Sequence, residues 1–456
     1  MLEPQEQTLL AFLAVFAGGR SLDAVEAVCG PDLTIDVLDG LQSLTDKSLI
    51  RQATGSGGGP RFFLLETIHE YARELFNKEP DTETIRQRHC DYFVEVAERA
   101  APQLYGAASD HWMDILNADL DNLRAALAFS EGNPLQGCRL LGALQRFWYS
   151  EGHLGVVEAW ERQALEHIGA LDGIVPAHVY LAVGRAAYGR QQILKARAFH
   201  SNALDLSQKA ADKAMTAQAM MLLAASYSGD TEQYDRAISL SRGALDLARA
   251  IDNEGLILNG LNLLGELARS HGDDQVAAQA YEECLQLSEE IGDKRRATIQ
   301  AFNLAFLAEH RRDYEAAQQL AAEGLRAAWE MEHRANIGMG LGAVALAAIA
   351  AGRFQRGARL LNAADRALEV IGYVLQPPDQ PEYDRARTTL AQQLTAAELG
   401  ALMAEGQAMT LPEAVAYALK ENAPTPYPLP PMTPPTMTET AGARRSRDLR
   451  SRKPSR

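Results

Sequence analysis

Aromatic side chains make up only 7% of the 456 residues, and cysteine is rarer still. The four cysteines, Cys29, Cys90, Cys138 and Cys284, stand too far apart for a metal knuckle or a Cys-x-x-Cys redox pair. They read as small core residues of a reducing compartment. No stretch fits the phosphate-binding G-x-x-x-x-G-K-[ST] loop, and no Gly-Lys pair occurs anywhere, so neither ATP binding nor any cofactor is expected. Enzyme motifs are equally absent. His69-Glu70 begins like a zinc-protease helix, but Arg73 stands where the second histidine would be. Ser56 lies among loop glycines rather than on a strand-to-helix elbow. With no metal cluster, triad or carboxylate pair marked by spacing, a non-catalytic protein is expected.

Long hydrophobic runs are missing too. Leu9 to Ala17 has the length of a signal-peptide core, yet no Lys or Arg precedes it and Glu3 and Glu6 do. Ile337 to Ala351 is apolar throughout but too short to span a bilayer comfortably. Both read as buried helices of a cytoplasmic protein without membrane attachment. A net charge of −16 argues against general polyanion binding.

What the chain does have is a period. Gly184, Ala225, Gly265, Ala305 and Ala345 recur at intervals of 41, 40, 40 and 40 residues. Twelve residues after each comes a second small residue: Ala196, Ala237, Ala277, Ala317 and Gly357. In the unit from Asn259 to Gly292, apolar and small residues at three- and four-residue spacing flank the polar turn His271-Gly272-Asp273-Asp274. That pattern makes two amphipathic helices, each unit needing its neighbours to bury its apolar face. The small residues let helix backbones approach, and Tyr281 fills the wedge between them. This resembles the tetratricopeptide repeat, with helices about three residues longer than the 34-residue unit. Leu144, Leu154 and Val157, with Trp148 and Trp160, suggest a sixth unit. The fold class expected is mostly α: a solenoid of about six helix pairs over residues 135–372.

The first residues have another rhythm. Gln5 to Phe16 reads as a helix, Ser21 as the cap of a second and Thr34 as the cap of a third reaching Asp46. Strands Ser48 to Gln52 and Arg61 to Leu65 flank a loop with four glycines, and a helix from Glu66 to Phe76 follows. Three helices and a hairpin describe a winged helix, residues 1–78. A helical connector (79–134), a helical cap after the solenoid (373–422) and a disordered tail (423–456) complete the expected organisation.

Several segments resemble bacterial multidomain regulators of the STAND class, many of them LuxR-type. They are Leu13 to Gly19, Leu41 to Ile50, Phe63 to Ala72, His89 to Glu98, Asp119 to Leu127, Tyr383 to Arg387 and Leu411 to Ala418. In that family a nucleotide-binding domain precedes the winged helix, repeats follow it, and a helix-turn-helix often ends the chain. Neither flanking domain is recognisable here, so the resemblance implies the sensor half of such a regulator. A separate nucleotide-binding regulator subunit is then a possible partner. In that family the winged helix implies a packing joint.

Charge bears on DNA binding. From Met1 to Pro60 only Arg20, Lys47 and Arg51 are basic, against eight acidic residues, and the third helix carries Asp36, Asp39 and Asp46. Phosphate contact requires cations, so the winged helix is not expected to read DNA. Basic residues gather instead in the tail, from Arg444 to Arg456 after a proline-rich segment. The alternative to a sensor scaffold is therefore a transcriptional regulator contacting DNA through that tail or through a partner chain. In the tetratricopeptide arrangement the first helix of each pair lines the concave side. Carried over, the groove candidates are His178, Arg185, Tyr188, Asn259, Asn262, Glu266, Arg269, Phe306 and Glu309, a mixture suited to a protein, peptide or small-molecule effector.

Overall fold

The computed structural model describes residues 2–55, 59–106, 108–371, 373, 375 and 379–420. Ser56, the solenoid's expected end at Gly372 and the tail from 423 onward lie outside the described residues.

Helices α1 (Pro4–Phe12), α2 (Leu22–Cys29) and α3 (Val37–Asp46) pack on a small sheet. Its strands are β1 (Arg20–Ser21), β2 (Ile50–Thr54) and β3 (Pro60–Leu64), in the order β1-β3-β2, all antiparallel. Leu9, Leu13, Phe16, Leu41 and Leu44 are wholly buried at the centre. Ser21 caps α2 by accepting from the Ala24 amide at 3.2 Å. The third helix is capped by Asp36 rather than Thr34, its carboxylate accepting from the Asp39 amide at 3.1 Å. Thr34 stands outside the helix, where its amide donates to Gln5 at 3.0 Å. The first helix ends at Phe12 and tightens into a 3-10 turn from Leu13 to Val15. Strand β1 was not anticipated, because two residues carry no periodicity.

Helix α4 (Glu66–Phe76) closes the winged helix, and α5 (Thr82–Ala100), α6 (Ser109–Ala118) and α7 (Leu120–Phe129) connect it to the repeats. The joint is polar and buried. Arg61 on β3 donates to the carbonyls of Gly19 and Ala118 at 2.8 and 2.9 Å and to Asp119 at 2.6 Å. Asn122 accepts from the Ala17 amide and donates to the Gly19 carbonyl, both at 2.9 Å. Removing one member of such a set leaves buried groups unsatisfied, so the winged helix is fixed to the connector.

The solenoid begins with α8 (Pro134–Ala143) and α9 (Gln145–Ser150), one helix broken at Leu144, paired with α10 (Leu154–His167). Five regular pairs follow: α11 (Val175–Gly189) with α12 (Ile193–Lys209), α13 (Lys213–Ala225) with α14 (Tyr234–Ala250), α15 (Glu254–His271) with α16 (Asp274–Glu290), α17 (Lys294–His310) with α18 (Tyr314–Glu330), and α19 (Arg334–Ala350) with α20 (Phe354–Val370). Consecutive helices pack on each other along the whole series. At Gly265 an added Cβ would lie 2.3 Å from the Tyr281 ring, and at Gly184 it would lie 2.4 Å from the His200 ring. Where the first small residue is alanine, the facing residue four after the second small residue is Ser241, Ala321 or Leu361. A ring on one helix is thus matched by glycine on the other.

The turns repeat at half the period. Ala211, Asp252, Gly272, Gly292, Arg312 and Glu332 all have left-handed backbone, φ between 50° and 84°. Each is followed by a cap, Asp212, Asn253, Asp273, Asp293, Asp313 or His333, whose side chain accepts from the amide three residues on. The left-handed residue ends one helix and the cap starts the next.

After the solenoid, α21 (Gln380–Gln393), α22 (Ala396–Ala408) and α23 (Leu411–Leu419) turn back onto its last repeats, α22 against α20 and α23 against α18, α19 and α20. Among the described residues no helix is long and apolar enough to cross a membrane. All four cysteines are buried and free, and burial pushes the Cys29 and Cys284 thiols up to about 12.

Candidate functional site: the concave face

The groove candidates fall into three groups. Arg185 and Tyr188 on α11 meet Tyr149 of α9 and Glu266 of α15 around a cavity of about 140 Å³, with Leu222, Leu263 and Leu267 in its wall. Arg185 donates to the Gln145 side chain and, at 3.3 Å, to the Tyr105 hydroxyl. Burial, then the charge of Asp379, raises the Glu266 carboxyl to about 7, with Arg269 and Asn262 opposing. His178 is not in this cavity. It lines a separate cleft of about 370 Å³ with Tyr105, Gln145 and Asp212, and burial lowers its pKa, with Asp212 and Glu98 opposing.

The second group is an amide ladder between neighbouring repeats. Arg296 on α17 donates to Asn259 at 2.7 Å. Asn262 accepts from Gln300 and Asn303 at 2.9 and 3.1 Å and donates to Glu266 at 2.7 Å. Both lone-pair directions of the Asn262 oxygen are therefore in use. Asn259 and Asn262 tie α15 to α17 and are not idle surface waiting for a ligand.

The third group has left the surface. Arg269 is 2% exposed and Phe306 5%, with the guanidinium 5.1 Å above the phenyl ring. Arg269 donates to Asp379 at 2.6 Å and to Glu382 at 3.2 Å, both from the start of α21, and to the Tyr281 hydroxyl at 3.3 Å. Burial opposes its charge, but Tyr281, Asp379 and Glu382 together hold it above the ordinary arginine value. His310 contacts Glu382 at 3.1 Å, and Arg385 pairs with the same carboxylate. Although buried, Glu382 is held down to about 2 by His310 and Arg269. Glu309 keeps one carboxylate oxygen sealed and without a hydrogen bond, and burial, reinforced by Glu382, pushes its pKa well above the usual range. Arg269, Phe306 and Glu309 thus belong to a clasp that α21 lays across α15 and α17. As groove contacts they are corrected.

A further segment borders the concave face from the other side. A Cβ at Gly255 would lie 1.5 Å from the Tyr105 carbonyl, and Asp110 pairs with Arg295 at the start of α17. The connector therefore abuts α15 and α17.

Residues 2–77 match the family model described as a winged helix-turn-helix domain. The N-terminal module is a winged helix. Proteins of Mycobacterium bovis and of two Mycobacterium tuberculosis strains, bearing the provisional name of HTH-type transcriptional regulator, are each 32% identical over 311 residues. The match covers 64% of this chain and 34% of theirs, so the chain spans about a third of these curated relatives. A Rap protein solved in complex with competence and sporulation factor shares the fold, with a TM-score of 0.51 at 17% identity over 77% of this chain and 92% of that one. The STAND protein with a tetratricopeptide repeat sensor from Pyrococcus horikoshii aligns over 89% of this chain and 66% of its own, with a TM-score of 0.47 at 16% identity. The helix pairs that follow the winged helix form a tetratricopeptide-like solenoid, with the fold shared by the Rap protein.

Sequence reasoning missed the residues that the connector and the broken helix α9 bring to the concave face: Tyr105, Arg146 and Tyr149. They precede the regular period, so no register pointed to them. The clasp had a faint signal in Asp379, Glu382 and Arg385, spaced three residues apart on one helix face. Among the described residues no group of His, Cys, Asp and Glu is arranged to hold a metal.

Proposed function

We propose that the chain is a non-catalytic regulatory scaffold of the cytoplasm, the sensor part of a STAND-type regulator. In this reading the winged helix is a joint and the N-terminal half of the concave face binds a protein, peptide or small effector. The observation that carries it is the cavity between Arg185, Tyr188, Tyr149 and Glu266, which brings together side chains of α9, α11 and α15. The relatives named as transcriptional regulators support a regulatory role, and the Rap protein's bound factor gives a fold-level parallel for ligand binding. On α3 the exposed side chains are Leu38, Asp39, Gln42 and Asp46, with no cation to meet a phosphate, which supports a joint over a DNA reader. The basic cluster from Arg444 to Arg456 favours a second reading, DNA contact through the tail.

The test is to select ligands from a random peptide library and a metabolite library on the purified full chain. Bound ligands are then mapped by hydrogen exchange. Protection of α11 and α15 is expected, with no stoichiometric ATP binding. Protection confined to the winged helix, or salt-sensitive DNA binding lost on deleting residues 441–456, would replace this reading with the second.

A further inference from the structure

The chain carries 60 acidic side chains against 44 basic ones, yet two arginines of the concave face have no carboxylate partner among the described residues. Arg185 is bonded to neutral groups, the side-chain oxygen of Gln145 and the hydroxyl of Tyr105. Arg146, on α9, has no hydrogen bond or ion pair among the described residues, and its Nε is sealed from solvent without a partner there. Its guanidinium lies 4.6 Å above the ring of that same Tyr105. Two guanidinium groups thus meet on one tyrosine. Arg295 and Arg296 also act on Arg146, but each has its own carboxylate, Asp110 and Asp293, and Arg296 donates to Asn259 at 2.7 Å. Burial, then these neighbouring arginines, lowers the Arg146 pKa to about 9, with Tyr105 opposing.

Gathering like charges in a half-buried space is unfavourable unless an anion joins them. A structural role would have put a carboxylate there, as Asp379 and Glu382 do for Arg269. Guanidinium groups offer forked donors that match carboxylate and phosphate oxygens. The adjoining cavity has room for only about 140 Å³ between Tyr149, Tyr188 and Leu263. Whole small-molecule sites run to roughly 300 Å³ or more, so this volume suits one small apolar group rather than an entire ligand. Glu266 faces the same cavity, but with its pKa near 7 it is largely protonated at slightly acid pH and only partly charged at neutrality.

We propose that Arg146 and Arg185 form an anion-anchoring subsite, taking a carboxylate or phosphate whose attached apolar group enters the cavity beside Tyr149, Tyr188 and Leu263. It rests on the groove reading above and names the chemistry of the ligand's anchored end. The carboxylate can come from the C-terminus of a peptide or from a small organic acid.

The experiment is a thermal-shift series on the full chain with four probes: inorganic phosphate, isovalerate, the peptide Gly-Gly-Leu and its C-terminal amide. Each is compared with sodium chloride at matched ionic strength. At saturating probe a rise in Tm of about 2 °C or more is expected from at least one free anion, with none from the amide. A larger rise with isovalerate assigns an organic acid, with Gly-Gly-Leu a peptide terminus, and with phosphate a phosphorylated ligand. The rise should disappear in Arg146→Gln/Arg185→Gln. No rise in the wild type, or an equal rise in the double variant, overturns the proposal. Arg146→Gln alone gives an independent reading. Without ligand at low salt its Tm should be unchanged or higher, because a like-charge contact is removed. A fall of several degrees would make Arg146 structural and equally overturn the subsite. A library ligand that protects α11 and α15 yet binds Arg146→Gln/Arg185→Gln as tightly as the wild type would remove the anion anchor while leaving the groove in place. A library yielding no ligand for those helices would instead count against the groove itself.

Discussion

Two arginines on the same concave wall have opposite surroundings. Arg269 is sealed under α21 and gripped by Asp379 and Glu382. Arg185, two repeats earlier, is half-buried beside a cavity with only neutral partners. Both sit near the small-residue positions of their helices, Arg269 four residues after Gly265 and Arg185 one residue after Gly184. The repeat supplies the places for concave side chains, and segments outside the repeat decide what each one does. The returning helix turns the C-terminal half into structure. The connector reaches the N-terminal half through Tyr105 but brings Arg185 a hydroxyl rather than a carboxylate.

The largest expected effect breaks the clasp. Arg269→Ala leaves Glu382 and Asp379 with their buried partner gone and should cost about 3–5 kcal/mol, read as a loss of Tm and early exchange of α21 amides. Arg185→Ala breaks no ion pair among the described residues and should cost far less. Next comes Gly265→Leu. The Tyr281 ring already fills that space, so overpacking should cost about 1–3 kcal/mol or more in chemical denaturation. Unchanged stability would show that the ring-to-glycine match does not set the spacing.

The pH dependence sharpens the comparison. The folded-state value for Glu266 is raised from 4.5 to about 7, so the folded chain holds that proton more tightly than the unfolded one. Its destabilising contribution therefore grows as pH rises from 4.5 and is complete above 7. Glu382 has the opposite sign: its pKa is lowered to about 2, so its stabilisation is present above 4.5 and lost below. Glu266→Gln keeps the acceptor for Asn262 and should raise Tm above pH 7 while leaving acid stability unchanged. Glu309, raised in the same sense, preserves part of the slope. An equal Tm gain at pH 4 and pH 8 would contradict this assignment. The smallest effect is at a turn. Ala211 has φ 55°, and Ala211→Gly should relieve the left-handed strain for a net gain below about 1 kcal/mol.

Much of the fold was legible because packing repeats. The small residues from Gly184 to Ala345 fixed the period, and the hairpin and Glu66–Phe76 followed from strand and helix signals. A finer signal was also in the sequence. Asp273, Asp293 and Asp313 stand 20 residues apart and cap successive helices, so the half-period could have been read from polar residues alone. The site was less legible for a definite reason. Periodicity identifies which side chains face the concave side but not what comes to lie upon them. Arg269 and Arg185 were equivalent candidates until Asp379 and Glu382, 110 or more residues away along the chain, were seen to cover one of them. Arg146 belongs to a helix broken at Leu144, where the register gives no guidance.

The most direct measurement is a pair of double-mutant cycles on the full chain, one between Arg269 and Glu382 and one between Arg185 and Glu266, each residue changed to its neutral counterpart. The division of the concave face predicts a coupling of about 1.5 kcal/mol or more for the first pair and less than about 0.5 kcal/mol for the second. Equal couplings, or the stronger one at Arg185, would contradict the division between the clasped arginine and the one without a carboxylate.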